Sequence, residues 1–212
     1  MSGFCAACGA QVEQNEATEP MAGPPDFDTR PSNASLETWV HRCGSCGYCS
    51  ADLTHIHKTG AEVVRSPHYQ AVLLDDGLPE KTREFWCYSQ ILEHASLFAD
   101  AGWSCLHAAW ACDDDNHNQA AIRCRLRALD LWKQGKQLGQ SFADDLPSEF
   151  ALAADVYRRA GQFERAVVTC AEALDTEDLS AILGAILRRE KTLAENRDDS
   201  RHSLAEVRLQ SR

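Results

Sequence analysis

The sequence has few basic side chains. Its 21 lysines and arginines stand against 32 aspartates and glutamates, which gives a net charge of −11. A chain of this charge repels a phosphate backbone, so a broad nucleic-acid-binding surface is disfavoured. Residues 1–60 show the same imbalance, with three basic and seven acidic side chains. We therefore predict that this part of the chain does not bind nucleic acid either.

Long apolar runs are also missing. No run approaches the roughly 18 to 20 residues that span a bilayer, and the N-terminus lacks the basic and apolar regions of a secretory signal. We therefore expect a cytoplasmic protein with no membrane partner. In a reducing cytoplasm, the ten cysteines point to metal ligation more than to disulfides.

Catalytic signatures are absent as well. The sequence contains no Ser–His–Asp arrangement, phosphate-binding loop or HExxH motif. With 44% apolar residues, the chain can bury the core of one or two domains. The sequence therefore leans away from an enzyme, although it leaves that question open.

Two cysteine pairs have the spacing of a zinc knuckle. Cys5 pairs with Cys8, Cys43 pairs with Cys46, and a glycine follows each pair. A tight turn aims both sulfurs of a pair at one ion, and two such turns complete a tetrahedron around zinc. We predict one structural Zn²⁺ bound by these four thiolates. A closed shell of four thiolates leaves no position for water, so its expected role is to stabilise the fold.

Cys49 is an alternative ligand. It forms a second CxxC pair with Cys46, so it could replace Cys43 or act as a redox partner. The interval of 34 residues between Cys8 and Cys43 is also longer than usual, which an insertion between strands would accommodate. The four-cysteine site remains the leading interpretation because zinc prefers closed all-thiolate sites.

The composition divides the chain into four predicted parts. Residues 1–60 are rich in cysteine, glycine and proline and form a zinc-ribbon-like module. Residues 61–78 form a connector with a short helix. Residues 79–190 form a helical region, and residues 191–212 form a charged, disordered tail.

Helical periodicity defines the predicted elements. Ser66-Pro67 predicts the start of the short helix, because serine caps a helix and proline fits its first position. The first long helix presents an apolar face from Phe85 to Ala99, and Gly102 is predicted to separate it from the next. Further helices are predicted at residues 103–112, 116–136, 147–160 and 162–174, with a last one from about residue 178. Short turns between them favour antiparallel neighbours.

An internal repeat relates two of these helical hairpins. The pattern Ala108-Ala109…Ala121…Ala128-Leu129 recurs 45 residues later as Ala153-Ala154…Ala166…Ala173-Leu174. The second copy, with Tyr157, Gly161 and Phe163, resembles the tetratricopeptide repeat, whereas the first matches it less fully. The spacing of 45 exceeds the 34-residue period of that repeat. We expect a mainly α fold in which the zinc-ribbon-like module precedes an antiparallel tetratricopeptide-like array.

An aromatic face on the second long helix is the first candidate for partner binding. Trp103, His107 and Trp110 recur at helical steps, opposite a face of small residues. If the small face packs within the hairpin, the tryptophans line a groove that receives a protein or peptide. The alternative is that they pack against the helix of residues 85–98, and this alternative is favoured.

Charged residues supply the other candidates. Asp113 and Asp114 precede a helix, where carboxylates cap free amides, although with His117 they could also bind a cation or a partner. Arg158 and Arg159 could clamp a carboxylate of the partner or lie on the solvated surface.

Three segments together resemble a family of uncharacterised bacterial proteins, one of the groups known as domains of unknown function. These are Pro25-Asp26-Phe27-Asp28-Thr29-Arg30-Pro31, Trp39-Val40-x-x-Cys43-x-x-Cys46-Gly47-Tyr48 and Ala108-Ala109-Trp110-x-Cys112-Asp113-Asp114. The resemblance implies a paired-cysteine ribbon with a tetratricopeptide-like array, and it implies no known reaction. It also draws attention to the charged residues Asp26, Asp28 and Arg30.

The sequence therefore favours an adaptor, in which a zinc-bound module holds the start of a helical array whose groove binds another protein. The alternative is a thiol-redox or metal-dependent enzyme that uses Cys49 or the cluster from Asp113 to His117.

Overall fold

The structure is a computed structural model that describes residues 2–15, 23–32, 35–57, 59–177 and 179–207. Within these residues the protein is mainly α, with eight α-helices and four short strands. A small N-terminal strand region precedes packed helices, as predicted for the fold class. None of these helices is long and apolar enough to cross a membrane. The chain forms two compact units: unit 1 contains Met1–Glu19 and Ser35–Gln140, and unit 2 contains Pro20–Ala34 and Ser141–Arg212.

The strands of unit 1 form two small antiparallel hairpins. Strand β1 (Ser2–Phe4) pairs with β2 (Gln11–Glu13), and β3 (His41–Arg42) pairs with β4 (Cys49–Ser50). The first hairpin encloses one CxxC pair, and the second encloses the other. Such short ladders provide few hydrogen bonds and little apolar burial, so they need a further source of stability.

The helices of unit 1 follow the strands. They are α1 (Gly60–Val64), α2 (Pro67–Leu73), α3 (Glu80–His94), α4 (Phe98–Asp114) and α5 (Asn118–Gln137). The predicted cap of α2 is present, because the Ser66 hydroxyl accepts a hydrogen bond from the Tyr69 amide at 3.2 Å.

Gly102 lies inside α4 and does not separate two helices, contrary to the sequence-based expectation. A Cβ atom at this position would lie 2.3 Å from the Trp132 indole of α5. The glycine therefore allows close packing of two helices. The chain instead turns at Ser96, whose φ is 62°.

The two repeated hairpins share one turn geometry. Asn116, between α4 and α5, has a φ of 60°, and Gly161, 45 residues later, has a φ of 71°. In both turns the next amide bonds back to a carbonyl of the preceding helix, from His117 to Cys112 at 2.8 Å and from Gln162 to Tyr157 at 2.9 Å. Such left-handed residues are the usual way to end a helix. The equivalence between Asn116 and Gly161 in the sequence repeat therefore extends to the backbone.

Unit 2 contains the remaining three helices. They are α6 (Leu146–Arg159), α7 (Phe163–Leu174) and α8 (Ala181–Glu195). Capping side chains start two of them: Asp145 accepts from the Ser148 amide at 2.8 Å, and Ser180 accepts from the Leu183 amide at 3.3 Å. Residue 178, near the predicted start of the last helix, lies outside the described residues.

Two predicted boundaries change. Residues 23–32 were assigned to the N-terminal module, but they belong to unit 2, where Phe27 is 4% exposed in a core formed with Ala154 and Leu187. Residues 191–207 were assigned to a disordered tail, but α8 continues to Glu195, and the following chain packs Leu204 against the same core. Apolar contacts from distant segments order both regions, and local composition does not reveal such contacts. The predicted tail from residue 208 onward lies outside the described residues.

Candidate metal centre and aromatic pocket

Four cysteine sulfurs converge in unit 1. The Sγ atoms of Cys5, Cys8, Cys43 and Cys46 all lie within 4.8 Å of one another. Sulfur–sulfur distances are 3.8 Å from Cys5 to Cys46 and 3.7 Å from Cys8 to Cys43. An ion held tetrahedrally at about 2.3 Å from each thiolate, as in zinc–cysteine sites, places the sulfurs about 3.8 Å apart. The four side chains could therefore hold one metal ion, and the geometry is compatible with zinc.

The two cysteine turns have the same backbone geometry. In the first, the Gly9 amide donates to the Cys5 carbonyl at 2.7 Å, and in the second, Gly47 donates to Cys43 at 2.8 Å. Both glycines have a φ of 77°, a conformation that residues with a Cβ atom rarely adopt. The sequence symmetry of the two CxxC-Gly segments is thus preserved as two equivalent turns facing one point.

The protonation of the centre is uneven without a bound cation. Burial is the largest influence on the pKa of Cys5 and of Cys46, and it raises both. Burial also acts to raise the pKa of Cys43, but hydrogen bonds from the Cys46 and Ser45 amides and from neighbouring thiols outweigh it and lower the pKa to about 7. Four thiolates this close together repel one another, so full ionisation requires a bound cation.

Cys49 is not one of the four clustered cysteines. It is fully buried, and its thiol donates to the Gly47 carbonyl at 3.4 Å. Burial, followed by the neighbouring Cys87 thiol, raises the pKa of Cys49 well above its ordinary value. A reactive thiol needs an accessible thiolate. The environment of Cys49 favours a packed, protonated side chain.

The second cysteine turn is fixed to helix α2. The Tyr69 hydroxyl donates to the Gly47 carbonyl at 2.9 Å and accepts from the Cys49 amide at 3.0 Å. A Cβ atom at Gly47 would lie 2.5 Å from Leu73, so this glycine also permits close contact with the helix. The helical part of unit 1 therefore positions half of the candidate metal centre.

Lys81 holds the loop of residues 37–40, which precedes strand β3, against α3. The Lys81 ammonium donates to the carbonyls of Glu37 and Val40, both at 3.1 Å, and to the Glu84 carboxylate at 2.6 Å. These contacts fix the loop that carries Trp39. The Trp39 ring lies 5.0 Å from the His107 ring and 6.0 Å from the Trp110 ring of α4.

A pocket of about 490 Å³ opens beside this loop, wholly within unit 1. Its walls come from the cysteine-bearing segment, here residues 39–57, which contribute Trp39, Ala51 and His57, and from helices α3 and α4 with the turn between them. The lining residues are Trp39, Ala51, His57, Phe85, Tyr88, Leu92, Leu97, Asp100, Trp103, Ser104 and His107. A volume of this size is typical of sites that accept a small molecule or a side chain.

The predicted aromatic face is divided between this pocket and the core. Trp103 and His107 line the pocket, whereas Trp110 is 1% exposed. The centroid of the His107 ring lies 4.7 Å from the ring centroid of Trp110, 5.4 Å from that of Phe85 and 5.9 Å from that of Trp103. Of this face, Trp110 is covered, Trp103 and His107 border the cavity, and the ring contact with α3 is the one between His107 and Phe85.

The acidic cluster ends a helix and does not begin one. Asp113 and Asp114 are the last residues of α4, so they do not cap the first turn of α5 as expected. Asp113 forms a bidentate pair with Arg125 of α5, at 3.1 Å and 2.5 Å. Within the described ranges, the four-cysteine group is the only set of three or more His, Cys, Asp or Glu ligand atoms brought together as a metal site.

The two candidate arginines lie in unit 2 and bind carboxylates of this chain. Arg158 is fully buried and contacts Glu190 at 2.8 Å and Asp155 at 2.5 Å. Arg159 approaches Asp28 at 3.7 Å, and its side chain is 9% exposed. Arg158 is thus not accessible to a partner in this structure, because burial and internal ion pairs engage it.

Of the residues that line the pocket, only Trp103 and His107 are predicted as site residues from the sequence. Trp39 enters only through the family resemblance, and Tyr88 and Asp100 are not among the predicted site residues. Tyr88 and Trp103 lie on neighbouring helices, and the loop of Trp39 reaches them only through the tertiary fold. The one available signal was the density of aromatic residues around the first two long helices.

Comparisons of the chain with protein-family models, with curated proteins and with solved structures found no match. The resemblances to an uncharacterised bacterial family and to the tetratricopeptide repeat therefore stay predictions, and function has to be argued from the sites themselves.

Proposed function

We propose that the protein is a zinc-stabilised adaptor that receives a partner protein at the aromatic pocket of unit 1. One observation carries this proposal: the pocket is bounded on one side by the cysteine-bearing segment and on the other by α3 and α4. Integrity of the metal centre and integrity of the binding site are therefore coupled. The sequence-based expectation places the partner in a groove of the helical array, whereas the proposed binding site is this pocket.

Zinc is the proposed metal because four thiolates in a tetrahedral arrangement suit it. Bound there, zinc supplies folding free energy of about 10 kcal/mol or more to a region with only two-stranded hairpins. Cys5, Cys8, Cys43 and Cys46 complete its coordination, which leaves no open position for a reacting water. The metal thus supports a structural role.

The contents of the pocket favour binding over catalysis. The Ser104 hydroxyl donates to the Phe85 carbonyl at 2.7 Å, so its proton is already engaged. The alternative enzyme functions would use Cys49 or the acidic cluster that begins at Asp113. Cys49 is buried, and Asp113 is paired with Arg125. Aromatic walls with few polar groups are typical of recognition sites.

The surface proposed for the partner is revised accordingly. Trp103 and His107 remain its centre because they line the pocket. Trp110 and Arg158 are left out because they are almost completely buried. Asp114 is exposed at the end of α4 and remains a candidate for a peripheral contact.

The test is affinity purification from cells that express the protein at its native level, followed by mass spectrometry. We expect Trp103→Ala and Cys43→Ser to lose the partner that wild type recovers. Trp86→Ala is the matched control, because Trp86 is half-buried on α3 and is not one of the lining residues. A Cys49→Ala variant should keep the partner. Equal recovery by Trp103→Ala and wild type would contradict the proposed site.

A further inference from the structure

The pocket combines aromatic walls with a single carboxylate. Trp39, Phe85, Tyr88 and Trp103 contribute rings, and Asp100 contributes the carboxylate. Among the described residues that line it, none is lysine or arginine, and the basic side chains are the imidazoles of His57 and His107. Ring faces carry negative electrostatic potential, so this arrangement attracts a cation and disfavours an anion.

Asp100 lines the same pocket as the rings and acts electrostatically on one of them. Burial, followed by the charge of Asp100, raises the pKa of Tyr88. The Tyr88 phenol therefore stays neutral at physiological pH, while Asp100 itself is exposed to solvent. A ligand cation could contact the carboxylate and a ring face at the same time.

We propose that this pocket binds an ammonium group, and that the group is the side-chain head of a lysine in the partner protein. This inference rests on the proposed adaptor function. A lysine has an apolar four-carbon stem that packs along rings, with a charged head at its end. Both parts find complementary surface here, on the tryptophan and phenylalanine rings and at Asp100 respectively.

The charge of the whole chain agrees with a basic partner segment. A net charge of −11 attracts positively charged molecules over a longer range than the pocket itself. The cavity of about 490 Å³ has room for a complete side chain with part of its neighbours. Methylation keeps the charge of lysine and acetylation removes it, so the two modifications should affect binding differently.

The direct test titrates the zinc-loaded, ¹⁵N-labelled full-length protein with small probes. The probes are Nα-acetyl-lysine methylamide, its Nε-trimethyl derivative and its neutral Nε-acetyl derivative. The indole N–H signals of Trp39 and Trp103 report binding. We expect both charged probes to shift these signals saturably, and the neutral probe to bind at least about fivefold more weakly. Equal binding of the neutral probe, or no saturable shift, would overturn the inference.

A further arm tests the source of the ammonium group. Choline carries a quaternary ammonium but lacks the lysine stem. Choline binding that is tighter than that of both lysine probes would assign the pocket to a free small cation and overturn the lysine assignment. Weaker binding of choline supports a side chain of a protein.

Substitutions at Asp100 and Trp103 distinguish the contribution of the carboxylate charge to probe affinity from that of the aromatic wall. Asp100→Asn should weaken the lysine probe about two- to fivefold, and Trp103→Leu should weaken it about three- to tenfold. Asp130→Asn is the matched control, on an exposed site of α5 outside the pocket. Because Asp100 is exposed, Asp100→Asn should fold normally even if Trp103→Leu loses stability. An unchanged affinity in Asp100→Asn would overturn the role given to the carboxylate.

Two results keep the inference apart from the proposed function. Partner recovery that depends on Trp103 but not on Asp100, together with equal binding of charged and neutral probes, would reject the lysine inference and leave the adaptor site standing. Saturable binding of the lysine probe, with partner recovery independent of Trp103, would reject the adaptor site. The pocket would then keep its ammonium affinity but lose its assignment to a partner lysine.

Discussion

The two compact units hold an N-terminal segment against similar helical hairpins by different chemistry. In unit 1, four cysteines that could bind a metal ion join the two strand hairpins. In unit 2, residues 23–32 are held by Phe27 in the core and by the ion pair between Asp28 and Arg159. The first attachment depends on four thiols that could hold one ion, and the second consists of apolar packing and an ion pair.

Because of this difference, the stability of each unit depends on different interactions. A metal ion bound by the four cysteines would make unit 1 sensitive to chelation, whereas unit 2 does not contain any of the four clustered cysteines. The buried ion pairs of Arg158 make unit 2 sensitive to the loss of a single charge, because the remaining carboxylates would be buried without compensation. Each of the following predictions perturbs one unit and uses the other as a reference.

The largest effect is expected from removing the metal centre. Cys43→Ser, or a strong zinc chelator, should unfold the two strand hairpins, because the predicted zinc contributes about 10 kcal/mol or more to their folding. Metal content by mass spectrometry and amide hydrogen exchange measure the two consequences. Amides of α6 to α8 should keep their protection. Retained stoichiometric zinc with an unchanged melting profile in Cys43→Ser would refute this role.

The next largest effect is expected in unit 2. Arg158→Met should reduce the free energy of unfolding by about 3–5 kcal/mol, since Glu190 and Asp155 lose their buried partner. Hydrogen exchange of the α6–α8 amides would measure the loss. Arg188→Met, at an exposed position of α8, should change it by less than about 0.5 kcal/mol. Equal stability of the two variants would show that the buried network contributes no net free energy.

A smaller effect is expected where α4 and α5 approach each other. Gly102→Ala should destabilise unit 1 by about 1–3 kcal/mol, because its methyl group would overlap the Trp132 ring. Gly44→Ala serves as the control, since a Cβ atom there meets nothing within 4 Å. Urea unfolding followed by tryptophan fluorescence compares them. No difference between the two alanine variants would indicate that α4 and α5 can separate without cost.

The smallest effects test the equivalence of the repeated turns. Gly161→Ala should cost about 1 kcal/mol, since an alanine at a φ of 71° is strained. Asn116→Gly, at the matching turn of unit 1, should stabilise by up to about 1 kcal/mol for the opposite reason. Thermal unfolding measures both. Shifts of the same sign would mean that the two turns are not equivalent.

Local patterns allowed much of the secondary structure to be predicted. The cap at Ser66 and the starts of α6 and α7 depend on residues close together in the chain, and the 45-residue repeat is visible in the sequence itself. The convergence of the CxxC pairs was also predictable, because each pair forms its own tight turn. Gly102 was misread because an isolated glycine has the same appearance whether it ends a helix or admits a neighbouring ring.

The residues proposed to face a partner were harder to predict. A helical face of tryptophans and histidine does not say which members will be covered. In the fold, Trp110 is buried with Trp39 and His107 against it, while Trp103 borders a pocket. From the sequence alone, Arg158 and Arg159 at the end of α6 could likewise be surface residues that bind a carboxylate of a partner. Their burial depends on Glu190 and Asp28, which lie far away in the sequence.

Short-range turns and helical periodicity in the sequence specify the mainly helical class, the repeated hairpins and each of the two cysteine turns. Only the tertiary structure decided that residues 23–32 join the C-terminal helices and that an aromatic pocket forms beside Trp39. The physical reason is that burial and electrostatic pairing are properties of neighbours in space. Those neighbours come from segments whose own composition does not identify them.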